Sequence, residues 1–302
     1  MKSFLFKTTM FVIITAVLYI PFIFILSNVF STFLNQSFYN SGYTSNRLQD
    51  ADKIKNIDVV FLGSSHAYRG FDPKKFSFSS FNLGTTAQTP IQSYILIKKH
   101  LKQMKPKLII YEVYPETFEI SGLESQLDLL SNSPINTDII STTFEFNNTK
   151  AFNLLILNFL NHKLLKKPFL KQGRNSSERY YSNGYVESEK QTFLPIAINN
   201  GKWTPLKNQL QYFKKCLNFL KQNKTKVLLV FAPITKIEYN SYENIEDFNN
   251  LMKQIHKYVN FNKTLVDSLH FYDSHHLNKA GVNIFNKQLQ DYISKNEILT
   301  PR

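Results

Sequence analysis

Residues 57–66, with the sequence IDVVFLGSSH, decide the fold because an apolar run passes directly into a glycine and two serines. The run Ile57–Leu62 predicts a buried strand, and Gly63 predicts the tight turn that ends it. A helix is expected to follow, with Ser65 exposed at the turn. A strand that enters a helix in this way is typical of α/β proteins.

The same alternation of apolar runs and helical patterns continues along the chain. Further strands are predicted at residues 79–83, 107–113, 227–231 and 264–266. Helices are predicted at residues 90–104, from residue 205, at about 245–259 and from residue 278 to about 295. Five strands with intervening helices predict a mostly parallel sheet that is covered on both faces. Ligands of such sheets bind at the carboxyl ends of the strands.

The N-terminal segment is uncharged from Thr8 to Asn46, and residues 10–29 are apolar enough to cross a bilayer core of roughly 30 Å. We predict a transmembrane anchor; a cleaved signal peptide and a buried core helix are the alternatives. Lys2 and Lys7 precede the span, which favours a cytoplasmic N-terminus. The predicted organisation is a cytoplasmic tip and anchor at 1–35, a linker at 36–56 and an extracytoplasmic domain at 57–302.

Residues 121–201 interrupt the alternation and are too long for an ordinary connection, so we predict an insertion with its own helices. Its segment 151–160 is strongly apolar and is followed by a basic run up to Arg174. This segment either packs on the sheet as a helix with a solvated basic end, or lies in the membrane interface, or covers the active site.

The charge balance favours anionic partners, since 36 Lys and Arg against 22 Asp and Glu give a net charge of +14. We predict no nucleic-acid role, because the lysines are scattered and no zinc-finger or aromatic–basic RNA signature is present. An anionic envelope polymer or a lipid surface explains the charge equally well. Cys216 is the only cysteine, which excludes an intrachain disulfide and any multi-thiolate metal site.

Two loops at the predicted carboxyl edge of the sheet carry residues with catalytic potential. Ser65 follows the first strand, and Asp273 and His276 precede the last helix. A serine at a helix N-terminus can act as a nucleophile, and a histidine held by an aspartate can accept its proton. The simple alternative is that Ser65 only caps its helix. No metal site is predicted, because the adjacent His275 and His276 point in different directions.

These loops resemble the sequence blocks of the SGNH (GDSL-like) hydrolase superfamily over residues 57–293. The first block, G-D-S-x, matches Gly63 to His66, with the nucleophile at Ser65 and a serine in place of the usual aspartate. Gly84 resembles the second-block glycine, whose N–H stabilises the oxyanion, and the D-x-x-H of the fifth block matches Asp273 and His276. The resemblance implies a three-layer α/β/α, flavodoxin-like fold and acyl transfer through an acyl-serine.

The third block, G-x-N-D, is missing, and residues 111–116 (YEVYPE) follow the third strand instead. Loss of one side-chain oxyanion donor typically costs roughly 10²–10³ in rate. Asn82 is a candidate substitute, and His66 is either a neighbour of Ser65 or an exposed loop residue. Glu112 and Glu116 either line the cleft or lie on its solvated rim, and the rim is the expected position.

With its N-terminal span, this departure resembles the membrane-anchored SGNH-like proteins of envelope acylation, such as the D-alanyl transfer protein of teichoic acids and the alginate O-acetylation proteins. The resemblance implies a bacterial acyl esterase or O-acyltransferase without a cofactor. Its substrate would be an anionic or neutral envelope glycan, and its candidate partner a membrane-bound O-acyltransferase. Two rivals remain: a non-catalytic accessory or binding protein, and a lipase-like hydrolase with residues 151–160 as a lid.

Overall fold

A computed structural model describes residues 1–34, 41–173, 177–190, 200–262 and 264–299, without the side chains of residues 27–34, 41 and 267. The chain divides into two compact units. Unit 1 comprises residues 1–41 and 126–169, and unit 2 comprises residues 42–125 and 170–302. The domain boundaries given above remain predictions.

Unit 2 contains a parallel five-stranded sheet. Its strands are β1 (Val59–Leu62), β2 (Ser80–Asn82), β3 (Leu108–Glu112), β6 (Lys226–Phe231) and β7 (Tyr258–Asn260). They lie in the order β2-β1-β3-β6-β7, and every neighbouring pair is parallel. Counted along the chain, this is the flavodoxin-like order 2-1-3-4-5, with a switch point between β1 and β3. The predicted fold class is confirmed.

Helices cover both faces of the sheet. They are α3 (Ser65–Gly70), α4 (Pro90–Met104), α8 (Lys207–Gln222), α10 (Ile245–Ile255) and α12 (Lys279–Lys295). Side chains alternate along each strand. Phe61 therefore faces α3 and α12, where it stacks on Phe71 at 5.0 Å, while Tyr111 faces α8 and meets Phe213 at 5.4 Å. The result is the three-layer α/β/α arrangement.

The two best-marked helices follow their sequence signals. The helix predicted at residues 90–104 has these bounds, and Thr89 and Gln92 form a capping box before its first turn. The last helix begins after Asn278, whose side chain accepts a hydrogen bond from the N–H of Gly281. Polar caps and the proline at the first position are therefore sufficient to locate these two elements.

The prediction for the fifth strand was wrong. The strand is formed by Tyr258–Asn260, and residues 264–266 lie outside it. Helix α10 ends at Ile255 because His256 takes an extended conformation (φ −159°, ψ 174°). Val259 then pairs with Val230 of β6 instead of continuing the helix. A short run such as YVN satisfies a helical and an extended pattern equally well.

Part of the predicted linker is an ordered helix of unit 2. Helix α2 (Thr44–Ala51) contains Arg47, which is fully buried. The Arg47 Nε donates to the Gly184 carbonyl at 2.8 Å, and its guanidinium lies 4.4 Å from the centre of the Tyr68 ring. Gly184 lies in the turn of an antiparallel hairpin. The other strands and α-helices in the described part of unit 2 are β4 (Glu178–Tyr180), β5 (Val186–Ser188), α9 (Lys236–Ser241) and α11 (Asp267–His270).

Unit 1 consists of helices. They are α1 (Lys2–Leu34), most of α5 (Leu123–Asn132), α6 (Thr137–Phe146) and α7 (Thr149–Asn158), and a π-helical turn at Phe159–Leu164 follows. Within α1, Lys2–Leu26 has a mean hydropathy of 2.6 and is long enough to cross a membrane. A signal sequence has the same length and composition, and the direction of crossing remains a prediction.

Replacement of a core residue in α12 tests the packing of this face. Phe285 is fully buried and its ring lies 5.2 Å from Phe71 and 5.3 Å from Phe261. We expect Phe285→Ala to lower the free energy of unfolding by about 3–5 kcal/mol. Ile284→Ala is the control, since Ile284 is 37% exposed and a surface change costs about 0.5 kcal/mol. The fluorescence of Trp203 follows unfolding in detergent; equal transition midpoints for the two variants would contradict the packing.

Candidate functional site

The predicted serine lies at the carboxyl end of the central strands. β1 ends at Leu62, Gly63 makes the turn, and Ser65 is the first residue of α3. The N-cap of this helix is Ser64, whose hydroxyl accepts from the N–H of His66. The capping role that the sequence left open for Ser65 therefore belongs to its neighbour, and the Ser65 hydroxyl is not used as a cap.

The structure brings Ser65, His276 and Asp273 into one hydrogen-bonded chain. The Ser65 Oγ lies 2.8 Å from His276 Nε2, and His276 Nδ1 lies 2.8 Å from Asp273 Oδ2. The other carboxylate oxygen, Oδ1, accepts from the backbone N–H groups of His275 and His276. An ionised Asp273 places a proton on Nδ1, so that Nε2 can accept the hydroxyl proton of Ser65.

The ionisation states suit this proton path. Burial lowers the pKa of His276 to about 4, against the opposing effect of the Asp273 hydrogen bond. Burial raises the pKa of Asp273, but the hydrogen bond and charge of His276 outweigh it and hold that pKa well below its usual range. At neutral pH the histidine is therefore an uncharged base and the aspartate is its ionised partner.

Glu112 lies beneath the turn, and the prediction of a solvated rim was wrong for this residue. It is 3% exposed, whereas Glu116 is exposed as expected. One oxygen, Glu112 Oε2, accepts from the Ser64 N–H at 2.8 Å and from the Ser64 hydroxyl at 2.9 Å. Burial raises the pKa of Glu112 to about 7, although both hydrogen bonds from Ser64 lower it. The third strand thus holds the nucleophile turn in place.

Gly84 lies against the same turn. A Cβ built on it would meet the Ala67 Cβ at 2.9 Å and the Gly63 and Ser64 carbonyl oxygens at 3.0 Å. Only a glycine allows this close approach. Its N–H donates to the Asn82 side-chain oxygen at 3.1 Å.

Asn82 does not face the cleft, and its candidate role as an oxyanion donor is corrected here. The side chain is fully buried, and its amide nitrogen donates to the carbonyls of Ala67 at 2.7 Å and Phe71 at 2.9 Å. Both of its N–H groups are therefore used to hold α3. Asn82 therefore stabilises the helix that begins at Ser65.

His66 is buried behind the reactive histidine. Its Nδ1 lies 3.0 Å from the Ser64 hydroxyl, and its ring centre lies 4.2 Å from that of Tyr114 and 5.1 Å from that of His276. Burial lowers the pKa of His66 well below its usual value, so that the ring is neutral. Of the two roles that the sequence left open, the structure shows the neighbour of Ser65.

Three potential metal ligands meet in the last loop. Ligand atoms of Asp273, His275 and His276 lie within 4.8 Å of one another. The hydrogen bonds to Ser65 and Asp273 engage both ring nitrogens of His276. A metal bound here would therefore have to replace the Ser65–His276–Asp273 chain, and the absence of a metal site remains a prediction.

Sequence reasoning missed two contributors to the site. The first is the buried position of Glu112, whose carboxylate accepts from the Ser64 N–H and hydroxyl. The sequence signal that could have indicated this role is the position of Glu112 at the carboxyl end of β3, within residues 111–116. Tyr272 stacks on the His276 ring with centres 5.6 Å apart and planes 11° apart. A tyrosine before D-x-x-H carries no distinctive sequence signal.

Comparison with known proteins gives partial matches. A protein-family model matches residues 189–298, less than half of the chain. No curated protein matches the chain. A provisionally described acylhydrolase from Bacteroides fragilis is 12% identical, with 83% of this chain and 94% of that chain covered and a TM-score of 0.42.

Two further solved structures are similar. A GDSL-like lipase from Bacteroides thetaiotaomicron is 13% identical, with 84% of this chain and 98% of that chain covered and a TM-score of 0.42. A two-domain esterase active on acetylated mannans is 11% identical, with 86% of this chain and 55% of that chain covered and a TM-score of 0.39. All three names are those of ester hydrolases. At these identities no family assignment follows.

A glycine replacement tests how tightly the turn is built. Gly63 has φ +145°, and an added Cβ would lie 2.5 Å from Glu112 Oε2. We expect Gly63→Ala to cost about 1–3 kcal/mol of stability and to slow the reaction of Ser65 with a fluorophosphonate probe. Gly201→Ala is the control, because no heavy atom lies within 4 Å of its added Cβ. Thermal unfolding and labelling rates measure both effects; a Gly63→Ala variant indistinguishable from this control would refute the tight turn.

Proposed function

We propose that this chain is a membrane-anchored, SGNH-type serine acyl esterase or O-acyltransferase. The proposal is carried by the Ser65–His276–Asp273 chain, in which two consecutive hydrogen bonds are each 2.8 Å long. A nucleophile, a neutral base and an orienting carboxylate in this order are the requirements for covalent acyl transfer.

The proposed reaction has two halves. Ser65 Oγ attacks the carbonyl carbon of an ester while His276 Nε2 takes the hydroxyl proton. The tetrahedral intermediate collapses, His276 returns this proton to the departing alkoxide, and the acyl group stays on Ser65. His276 next deprotonates the acceptor hydroxyl, which attacks the acyl-serine, and Ser65 Oγ leaves with the proton. Water as acceptor makes the protein an esterase, and a sugar hydroxyl makes it a transferase.

Two backbone donors are assigned to the oxyanion. The Ser65 N–H lies at the start of α3, where peptide groups favour negative charge. The Gly84 N–H is next to this turn and is shared with Asn82 Oδ1. Stabilisation of the oxyanion by Gly84 therefore competes with a hydrogen bond inside the protein, and this weakens the donor.

An acceptor in the cell envelope is supported by the apolar α1 and by the charge of the domain. A basic groove of about 930 Å³ lies near the amino ends of β6 and β7, at the sheet edge opposite Ser65, so it does not bring a hydroxyl to the nucleophile. Five lysines and one glutamate are among its lining residues: Lys214, Lys221, Lys224, Lys226, Lys257 and Glu297. A bacterial envelope glycan, anionic or neutral, is the proposed acceptor or ester substrate, and a membrane-bound O-acyltransferase is the proposed partner. We assign no nucleic acid and no cofactor to this function.

The second candidate is a non-catalytic accessory protein with the same fold. It is favoured by the use of the Gly84 N–H within the protein and by residues 111–116, which lack the side-chain donor of the third block. An accessory role needs the cleft but no activated serine. Reactivity of Ser65 therefore separates the two candidates.

Covalent labelling tests the proposed nucleophile. We expect a fluorescent fluorophosphonate to label the full-length chain in detergent, and Ser65→Ala to abolish the label. His276→Ala should slow labelling on the order of 10⁴-fold, since the base that activates the serine is lost. His275→Ala is the matched control, because its ring is outside the hydrogen-bonded chain, and should react at nearly the parent rate. A folded parent chain that takes no label would favour the accessory protein.

The pH dependence tests the state of the base. Because the pKa of His276 is lowered to about 4, the base stays neutral down to that pH. Hydrolysis of p-nitrophenyl acetate should therefore keep its kcat/KM from pH 7 to about pH 5 and fall as the pH passes through about 4. Product is quantified by chromatography, and circular dichroism shows at which pH the chain stays folded. A midpoint near 6.5 in the folded range would show that His276 is not shielded from water.

A further inference from the structure

Within unit 1, the apolar helix α7 lies against the N-terminal helix α1. The Tyr19 hydroxyl donates to the side-chain oxygen of Asn153 at 2.7 Å. Further along α1, the Lys167 ammonium lies 5.6 Å from the centre of the Phe24 ring. These contacts connect the insertion to the part of α1 that is apolar enough to cross a membrane.

The positions of these contacts along α1 show how deep the contacting residues of the insertion would lie in a bilayer. Lys7 is the last charged residue before the apolar stretch, and Tyr19 follows it by twelve residues, which is about 18 Å along a helix. Phe24 follows Lys7 by seventeen residues, or about 25 Å, and so lies about 5 Å inside the far boundary of a hydrocarbon core of roughly 30 Å. One leaflet of the hydrocarbon core is about 15 Å thick. If α1 spans the bilayer, Asn153 is therefore inside the leaflet opposite the N-terminus, and Lys167 is close to its headgroups.

The composition of this segment matches such a depth. Within α7, the run Leu154–Leu157 is only half-buried. In the turn that follows, Phe159 is 47%, Leu164 62% and Leu165 50% exposed. Large apolar side chains in this number are costly to expose to water. The basic residues of 159–169 are Lys163, Lys166 and Lys167, and this stretch contains no acidic residue.

The segment is held in a defined conformation. The Asn158 amide donates to the carbonyls of Leu130 at 2.6 Å and Ser133 at 2.9 Å. The His162 ring stacks on Phe169 with centres 3.7 Å apart, and its Nδ1 lies 2.7 Å from the Lys167 carbonyl. The exposed apolar side chains and the lysines are therefore presented by a built structure.

We propose that α7 and the turn 159–167 are inserted into the bilayer leaflet opposite the N-terminus, beside α1, and that Lys163, Lys166 and Lys167 bind anionic lipid headgroups. The occupant of this apolar surface is thus the membrane, and a lid over the triad is not required. The inference rests on the membrane anchoring within the proposed function and is independent of the chemistry of Ser65. Apolar insertion combined with basic residues is how interfacial helices bind membranes.

Spin labels on the full-length chain test this location in vesicles of phosphatidylcholine and phosphatidylglycerol. Native Cys216 is fully buried, and burial raises the pKa of its thiol, so that it takes little label. Single cysteines are introduced as Leu164→Cys for the turn, Ile14→Cys for the apolar stretch of α1 and Leu269→Cys as the control. Leu269 matches Leu164 in type and in exposure, at 64% against 62%, but belongs to unit 2.

Collision of each label with oxygen, which concentrates in the bilayer, is compared with collision with a water-soluble nickel chelate. We expect the labels at positions 14 and 164 to favour oxygen and the label at 269 to favour nickel. The oxygen preference of the label at position 164 should depend on the phosphatidylglycerol content of the vesicles. Replacement of Lys163, Lys166 and Lys167 by glutamine should weaken this dependence. A 164 label as accessible to nickel as the 269 label overturns the proposal.

If the label at position 14 is accessible to nickel, α1 does not span the bilayer. Both the membrane anchor and the insertion of α7 with the turn 159–167 are then contradicted. Labelling of Ser65 by the fluorophosphonate is read on the same preparations. It separates failure of the membrane inference from failure of the proposed enzyme, because neither α7 nor the turn 159–167 supplies a group to the triad.

Discussion

One buried carboxylate beneath the β1–α3 turn determines the position of Ser65, the proposed nucleophile. Glu112 Oε2 accepts both the N–H and the hydroxyl of Ser64, and this fixes the residue immediately before Ser65. Gly63 and Gly84 leave the space that the carboxylate and the turn require. The position of Ser65 is therefore set by the sheet itself, since Glu112 ends the strand β3 that pairs with β1. A rigid element is a better support for such a geometry than a loop.

The sequence was sufficient for the fold class and for naming the three residues that the structure joins in a hydrogen-bonded chain. Apolar runs that end in glycine or proline predicted four of the five sheet strands close to their positions, because buried parallel strands are continuously apolar. Ser65, Asp273 and His276 could be brought together from topology alone, since loops at the carboxyl ends of parallel strands share one edge. The sequence did not determine the fifth strand, because residues 258–260 are too short for periodicity to distinguish the two conformations.

Side-chain direction could not be predicted, and this is where the errors lie. Asn82 and Glu112 both end strands at the reactive edge, so that position alone offered both to the cleft. The structure turns Asn82 toward backbone carbonyls of α3 and Glu112 beneath the turn. Such choices depend on which unpaired donor or acceptor a neighbouring element presents, because a buried polar group without a partner costs about 1–3 kcal/mol. The single sequence does not indicate these side-chain orientations.

The two hydrogen bonds to Glu112 leave one of its oxygens for the proton. Oε1 is buried without a partner in the part of the chain that the structure describes. Because folding raises the pKa of Glu112 from 4.5 to about 7, the folded chain keeps a proton that the unfolded chain has released. Stability from this group is complete below about pH 4.5 and falls as the pH rises through about 7. A proton on Oε1 leaves Oε2 free to accept from Ser64. The turn is therefore held in both states of Glu112, and the ionisation that decides the reactivity of Ser65 is that of His276.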